Sequence, residues 1–279
     1  MKKILYACLL LWSTVYSVEA NIVQKMTDTN STEKSTAVSS EPKKVTVVTR
    51  GDVKVIEATE NIRYISQQMA KEYLFLYKMP YQETTKVRLK KILIALSNNL
   101  RAIAATTKDS DTKDILEFLA YSKDQIAEIF TEKPDEEQAA LMLDYSETLL
   151  EGADSIAAAH TYEFTNEEHM LIVMKKMEYL LERMMKYYIA LHAGFDNPTN
   201  KEQMQEAIAK FDKNMQMIEE YTYPEEMHMT EKEVMRSWEE NKKFFMRSDS
   251  LFIPKLMSLS TQYLEALIVQ IALYHTKNQ

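Results

Sequence analysis

The sequence predicts an all-α fold, built as two tandem up-down-up-down four-helix bundles stacked end to end. Three observations lead there. Only three glycines occur, Gly51, Gly152 and Gly194, so the Gly-rich phosphate cradle of a nucleotide-binding α/β fold has no material. Beyond about residue 55, Leu, Met, Ala, Glu, Lys and Gln dominate, and these side chains lose little rotamer freedom in a helix. The apolar spacing of the first helix also returns 115 residues later.

In chain order, residues 1 to 20 carry Lys2 and Lys3, an apolar run from Ile4 to Tyr16, and the small-residue ending Val18-Glu19-Ala20. This is the pattern of a cleavable secretory signal, with cleavage expected after Ala20. The lone cysteine, Cys8, falls inside it, so the exported chain is expected to have no disulfide, thiolate nucleophile or Cys metal site. A periplasmic or secreted location follows. Loss of Lys2, Lys3 and Glu19 leaves 32 basic against 41 acidic residues, a net charge of −9. Such a surface repels nucleic acid and anionic lipid. Nothing after Ala20 reads as a membrane span, and signalling across a bilayer is not expected of the chain alone.

Residues 21 to 44 are rich in Ser, Thr, Lys and Glu and read as a flexible leader. The stretch "VTVVTRGDVKVIEA" alternates enough to suggest a short extended piece around Gly51. The first bundle is expected over 45–163. Ile62, Ile65, Met69, Tyr73 and Leu76 form the stripe of its first helix, which Lys78-Met79-Pro80 ends. Leu89, Leu93, Leu96, Leu100 and Ile103 make the second stripe; Ile115, Leu119, Ile126 and Phe130 make the third, closed by Pro134. The fourth runs from Glu136 towards His160.

The second bundle is expected over 164–279. A shift of 115 lays Ile65, Met69, Lys71 and Tyr73 on Leu180, Met184, Lys186 and Tyr188, and carries the second stripe onto Met204, Ile208, Phe211, Met215 and Ile218. At the fourth helix a shift of 114 aligns Leu150-Glu151 with Leu264-Glu265, which would make His160 and Tyr274 equivalent. Thr165, Thr199 and Thr230 each precede a Glu by three residues, the capping-box spacing. Gly194 suits a helix C-terminus and Pro254 a first turn. A helix over 166–193 would be ~40 Å long.

The phrase "IRYISQQMAKEYLFL" is similar to the first-helix motif of PilJ-type sensory domains, the four-helix modules of type IV pilus chemotaxis transducers and NarX-like nitrate/nitrite sensors. Arg63, Ile65, Ser66, Gln67, Met69, Ala70 and Lys71 match that motif. The copy "EYLLERMMKYYIALHAGFDNP" keeps Leu180, Arg183, Met184 and Lys186 but has Glu178 where the first arginine belongs. The resemblance implies a sensory-type module that binds a small anion such as nitrate or nitrite, or a periplasmic protein partner. It also implies that an arginine of the first helix meets the ligand at a dimer interface, which makes Arg63 and Gln67 the candidate ligand residues and a homodimer a candidate assembly. Arg183, flanked by Tyr179 and Tyr187, is a weaker candidate; the alternative for both arginines is an ordinary solvated or tyrosine-stacked guanidinium.

Eighteen methionines raise a second reading, a Met-rich metal-binding protein, with Met227, His228 and Met229 as the candidate copper ligands. Core filling by flexible thioethers is the competing explanation. A structural or adaptor bundle is the third reading. Serines lack an identifiable base and oxyanion partner, the five histidines form no metal-spaced pair, and no cofactor or catalytic activity is expected.

Overall fold

A computed structural model describes residues 50–80, 83–248 and 252–279. The expected signal, its cleavage site and the expected leader lie outside the described residues. Eight α-helices account for most of what is described: α1 (Arg50–Lys78), α2 (Glu83–Thr106), α3 (Ser110–Ile129), α4 (Glu136–Ala159), α5 (Asn166–Ala193), α6 (Pro198–Glu220), α7 (His228–Phe245) and α8 (Pro254–Lys277). A single 3₁₀ turn, Glu225–Met227, leads into α7. The all-α expectation is met. Gly51 sits in the first turn of α1, so the extended piece expected around it is helical from Arg50 onward.

Local signals account for most helix ends. Thr165 and Glu168 form the expected capping box at the start of α5, and Gly194 ends that helix in the left-handed region at φ 111°. The other two predicted boxes do not form. Asn197 caps α6 with Pro198 in its first turn, two residues ahead of Thr199. The 3₁₀ turn feeds straight into α7 at His228, leaving Thr230 already inside the helix.

The register of the duplication stays at 115 throughout, which corrects the 114 expected for the last helix. Met142, Ser146, Leu149 and Ile156 of α4 are buried, and so are Met257, Thr261, Leu264 and Ile271 of α8. Tyr73 stacks on Phe130 and donates to Gln138, while Tyr188 meets Phe245 edge-on and accepts from the Ile253 amide. His160 is therefore the counterpart of His275, not of Tyr274. Each bonds through Nδ1 to the carboxylate of the first helix in its half, Asp52 at 3.2 Å and Glu167 at 2.5 Å.

Within the first half, α1 packs on α2 and α4, and α3 closes the ring; in the second, α5 packs on α6 and α8, with α7 lying chiefly on α8. The two halves meet side by side, through α1 against α5, rather than end to end. The two helices run parallel. Their N-terminal halves share a cleft, Lys71 meets Glu182 midway, and the rings of Tyr77 and Phe195 lie 6.5 Å apart near their C-terminal ends. The turn at 160–165 makes this possible, because a continuous α4–α5 helix would have carried the second half away from the first. The physical gain is burial: Met69–Leu76 and Leu180–Leu191 are buried on every face.

α8 also departs from expectation, since among the described residues it is long and apolar enough to cross a membrane by length and composition. Its Met257, Leu264, Ile268 and Ile271 pack inward, while Leu256, Leu259 and Tyr263 stay exposed. Two apolar faces on one helix give the hydropathy of a span, although one of them serves the core.

Candidate functional site: a polar seam and a cleft between the first helices

Helices buried on all sides must pair whatever charge they carry, because an uncompensated buried ion is costly. Along the α1/α5 seam they do. Lys71 donates to Glu182 at 2.8 Å, and Glu72 beside it takes Arg88 at 2.9 Å. On the α4 side, Glu147 accepts both arms of the Arg183 fork, at 3.0 and 2.7 Å, and the Lys186 ammonium at 2.5 Å. Two cations thus share one carboxylate. Desolvation pushes Glu147 up, but Lys186 and Arg183 outweigh it and hold the carboxyl at about 2. Desolvation likewise pulls Lys186 down, to about 8, with Glu147 offsetting it only in part and the Arg183 charge adding to the drop.

The candidate anion residues belong to this seam. Arg63 on α1 bonds Asp154 of α4 at 2.5 Å through Nε and Glu60 through its other arm. Gln67 is fully buried, donating to the Ser146 carbonyl at 3.2 Å, and its Oε1 has no partner among the described residues. Arg183 adds Gln203 to its Glu147 contacts and lies 5.4 Å from the Tyr187 ring. Ser146 and Glu147 link Gln67 to Lys186 and Arg183 in one network, whereas Arg63 sits two turns further along α4 with Asp154. Each guanidinium already faces a carboxylate. The sequence reading missed these acids, although Glu147, Glu151 and Asp154 mark one edge of α4 at helical spacing.

At the N-terminal end of the seam, α1 and α5 part to leave a cleft of about 410 Å³, within the range of small-molecule sites. Residues 115 apart in the sequence face it together: Ile56 with Leu171, and Glu60 with Lys175. The 160–165 turn supplies one wall through Tyr162 and Phe164, whose rings are 4.4 Å apart. Three carboxylates, Glu57, Glu60 and Glu168, line it against one ammonium. Glu168 is held by the capping box and by Tyr162, and Lys175 is spent on Glu178 at 2.9 Å. Glu60 is different: only 5% exposed, it gives Oε1 to Arg63 and leaves Oε2 without a hydrogen-bond partner among the described residues. Burial lifts its carboxyl above the ordinary range, and Arg63 offsets that only in part.

No family model, curated protein or solved structure matches the chain. The candidate copper ligands lie on the 3₁₀ turn and the start of α7, far along the chain from the seam. His228 bonds the Tyr223 carbonyl at 3.0 Å, Met227 packs against the core, and Met229 is 77% exposed, so the three side chains face different surroundings. The twin histidines are tied in too: besides its acid, His275 meets the Tyr223 hydroxyl at 3.0 Å, and His160 meets Thr112 at 3.3 Å.

Proposed function

We propose that the chain is an exported binding module in which a duplicated four-helix unit forms an internal pair and takes a small ligand in the cleft between its two first helices. The observation that carries this is the cleft itself, lined from both halves by residues at equivalent positions. A site at the junction of two repeats reports on their relative position, which is what a sensory-type module of the PilJ kind requires. Export is supported by the signal-like residues 1 to 20. The test is a neutral apolar fluorophore, N-phenyl-1-naphthylamine. One molecule per chain is expected to bind with enhanced emission, and Leu171→Trp, which narrows the cleft, is expected to weaken it. Unchanged binding by that variant sinks the proposal.

The same family resemblance points to nitrate or nitrite at Arg63. There the guanidinium must first be released from Glu60 and Asp154, so the cleft is the better supported site. Thermal shifts with sodium nitrate and nitrite, using Arg63→Ala as control, decide between them.

A further inference from the structure

The cleft is acidic and partly aromatic, and Glu60 on its lining keeps one oxygen, closed to solvent, that accepts no hydrogen bond among the described residues. A buried carboxylate oxygen without a donor forfeits a charge-assisted hydrogen bond, so in a native protein it calls for a partner. Among the described residues the neighbouring cations do not supply one, and Lys176, which acts on Glu60 through space, makes no hydrogen bond to it. Arg63 spends one arm on Oε1 and its Nε on Asp154, and Lys175 is held by both oxygens of Glu178. The missing partner is therefore a donor from the cleft, and because Oε2 is closed to solvent the Glu60 side chain must turn towards that donor on binding. Its charge is set by the lining, three carboxylates to one ammonium, which favours a cation and repels a carboxylate. Its body is set by Ile56 and Leu171, which are apolar, and by the tilted Tyr162–Phe164 pair, whose ring faces attract an ammonium and cover apolar carbon. The available space, about 410 Å³, has room for an amine with an apolar body of one or a few rings.

We infer that the cleft binds a small protonated amine with an apolar body, its ammonium donating to Glu60 Oε2 and its body lying against Leu171, Tyr162 and Phe164. This rests on the cleft being the ligand site. It adds the chemical class, which the sequence did not suggest: the family resemblance had pointed to an anion. Binding also completes the shell of Glu60 and draws α1, α5 and the 160–165 turn onto one molecule, so that occupancy ties the two halves together at this end.

The experiment is calorimetric titration of the full chain with three probes of one shape: phenethylamine, 2-phenylethanol and 3-phenylpropionate. The amine is expected to bind at least tenfold more tightly than the alcohol, with the carboxylate weakest. In Glu60→Gln the amine should fall to within about twofold of the alcohol; Arg63 keeps Asp154 in that variant, so the fold is retained. Phe164→Ala, at a half-exposed turn position, should weaken amine and alcohol alike and stands in if Glu60→Gln melts early. Equal affinity for amine and alcohol, or an amine preference that survives Glu60→Gln, overturns the assignment to Glu60 while leaving the cleft as an apolar site. Failure of all three probes together with loss of the fluorophore signal overturns the cleft itself.

Discussion

At the scale of single residues, Glu147 is the point on which two buried cations depend. Glu147→Gln removes the one carboxylate that both Arg183 and Lys186 contact, leaving only the more distant Glu151 and Asp144, and the expected loss is about 3 to 5 kcal/mol in urea unfolding at neutral pH. Lys186→Met removes the surplus cation and keeps the bidentate Arg183 pair, so stability should change by no more than about 1 kcal/mol, and in the stabilising direction. A large loss from Lys186→Met would show that the ammonium is needed. Glu265 offers a pH test of opposite sense. Desolvation and then Glu182 raise its carboxyl from the ordinary 4.5 to about 7, with a hydrogen bond from Tyr64 restraining the rise. Between those values the folded chain holds a proton that the unfolded chain has released, so this residue's contribution to stability falls as pH rises from about 4.5 to 7. Glu265→Gln should therefore be matched with the parent near pH 4 and more stable than it above pH 7. The difference in urea midpoints across that window checks the sign.

At the scale of elements, α4 carries the seam's acids on one edge and a glycine at its contact with α3. Gly152 has helical backbone, so alanine would gain about 1 kcal/mol of helix propensity. Its added Cβ would lie 2.6 Å from a Cδ of Leu119, which is fully buried. Forcing Leu119 aside in a close-packed core costs on the order of 1 to 3 kcal/mol. Gly152→Ala is thus expected to lower the melting temperature, and shortening the neighbour in a Gly152→Ala/Leu119→Ala double variant should give less than the sum of the two single losses. Additive losses would mean that the close approach of α3 and α4 is not what selects glycine. Gly194 serves a different need, since its left-handed backbone at φ 111° ends α5 in open space and the demand there is conformational alone.

At the scale of the whole molecule, the α1/α5 interface decides whether the repeats are one body. Lys71 and Glu182 are both buried and come from different halves. Lys71→Met leaves the carboxylate buried and unpaired, at an expected cost of about 3 to 5 kcal/mol, whereas Lys71→Met/Glu182→Leu removes both charges and should return to within about 1 to 2 kcal/mol of the parent. A double variant as unstable as the single one would show that the halves need that ion pair specifically. In every case the two halves should melt in a single transition, because the core runs unbroken through α1 and α5.

The all-α class and the positions of the helices were legible because each rests on local chemistry: 3.6-residue apolar spacing, Pro80 just past a helix end and Gly194 as a cap. Even the likeness of "NIRYISQQMAKEYLFLY" to "MEYLLERMMKYYIALH" was visible, though not its cause. Both stretches are the central helices of their halves and lie against each other, so both need apolar residues on nearly every face with a few charges placed to pair. Capping was less legible, because Asn197 competes with Thr199 for one helix start. The site was least so. Arg63 and Arg183 can be picked from a motif, but Asp154 and Glu147, which engage them, come from a helix some 36 to 91 residues away in sequence. Side-by-side packing, the sharing of one carboxylate by two cations, and the cleft with its unpartnered Glu60 oxygen arise only when the chain folds back across the 160–165 turn. Local sequence sets what each helix must bury; only the tertiary structure sets against what.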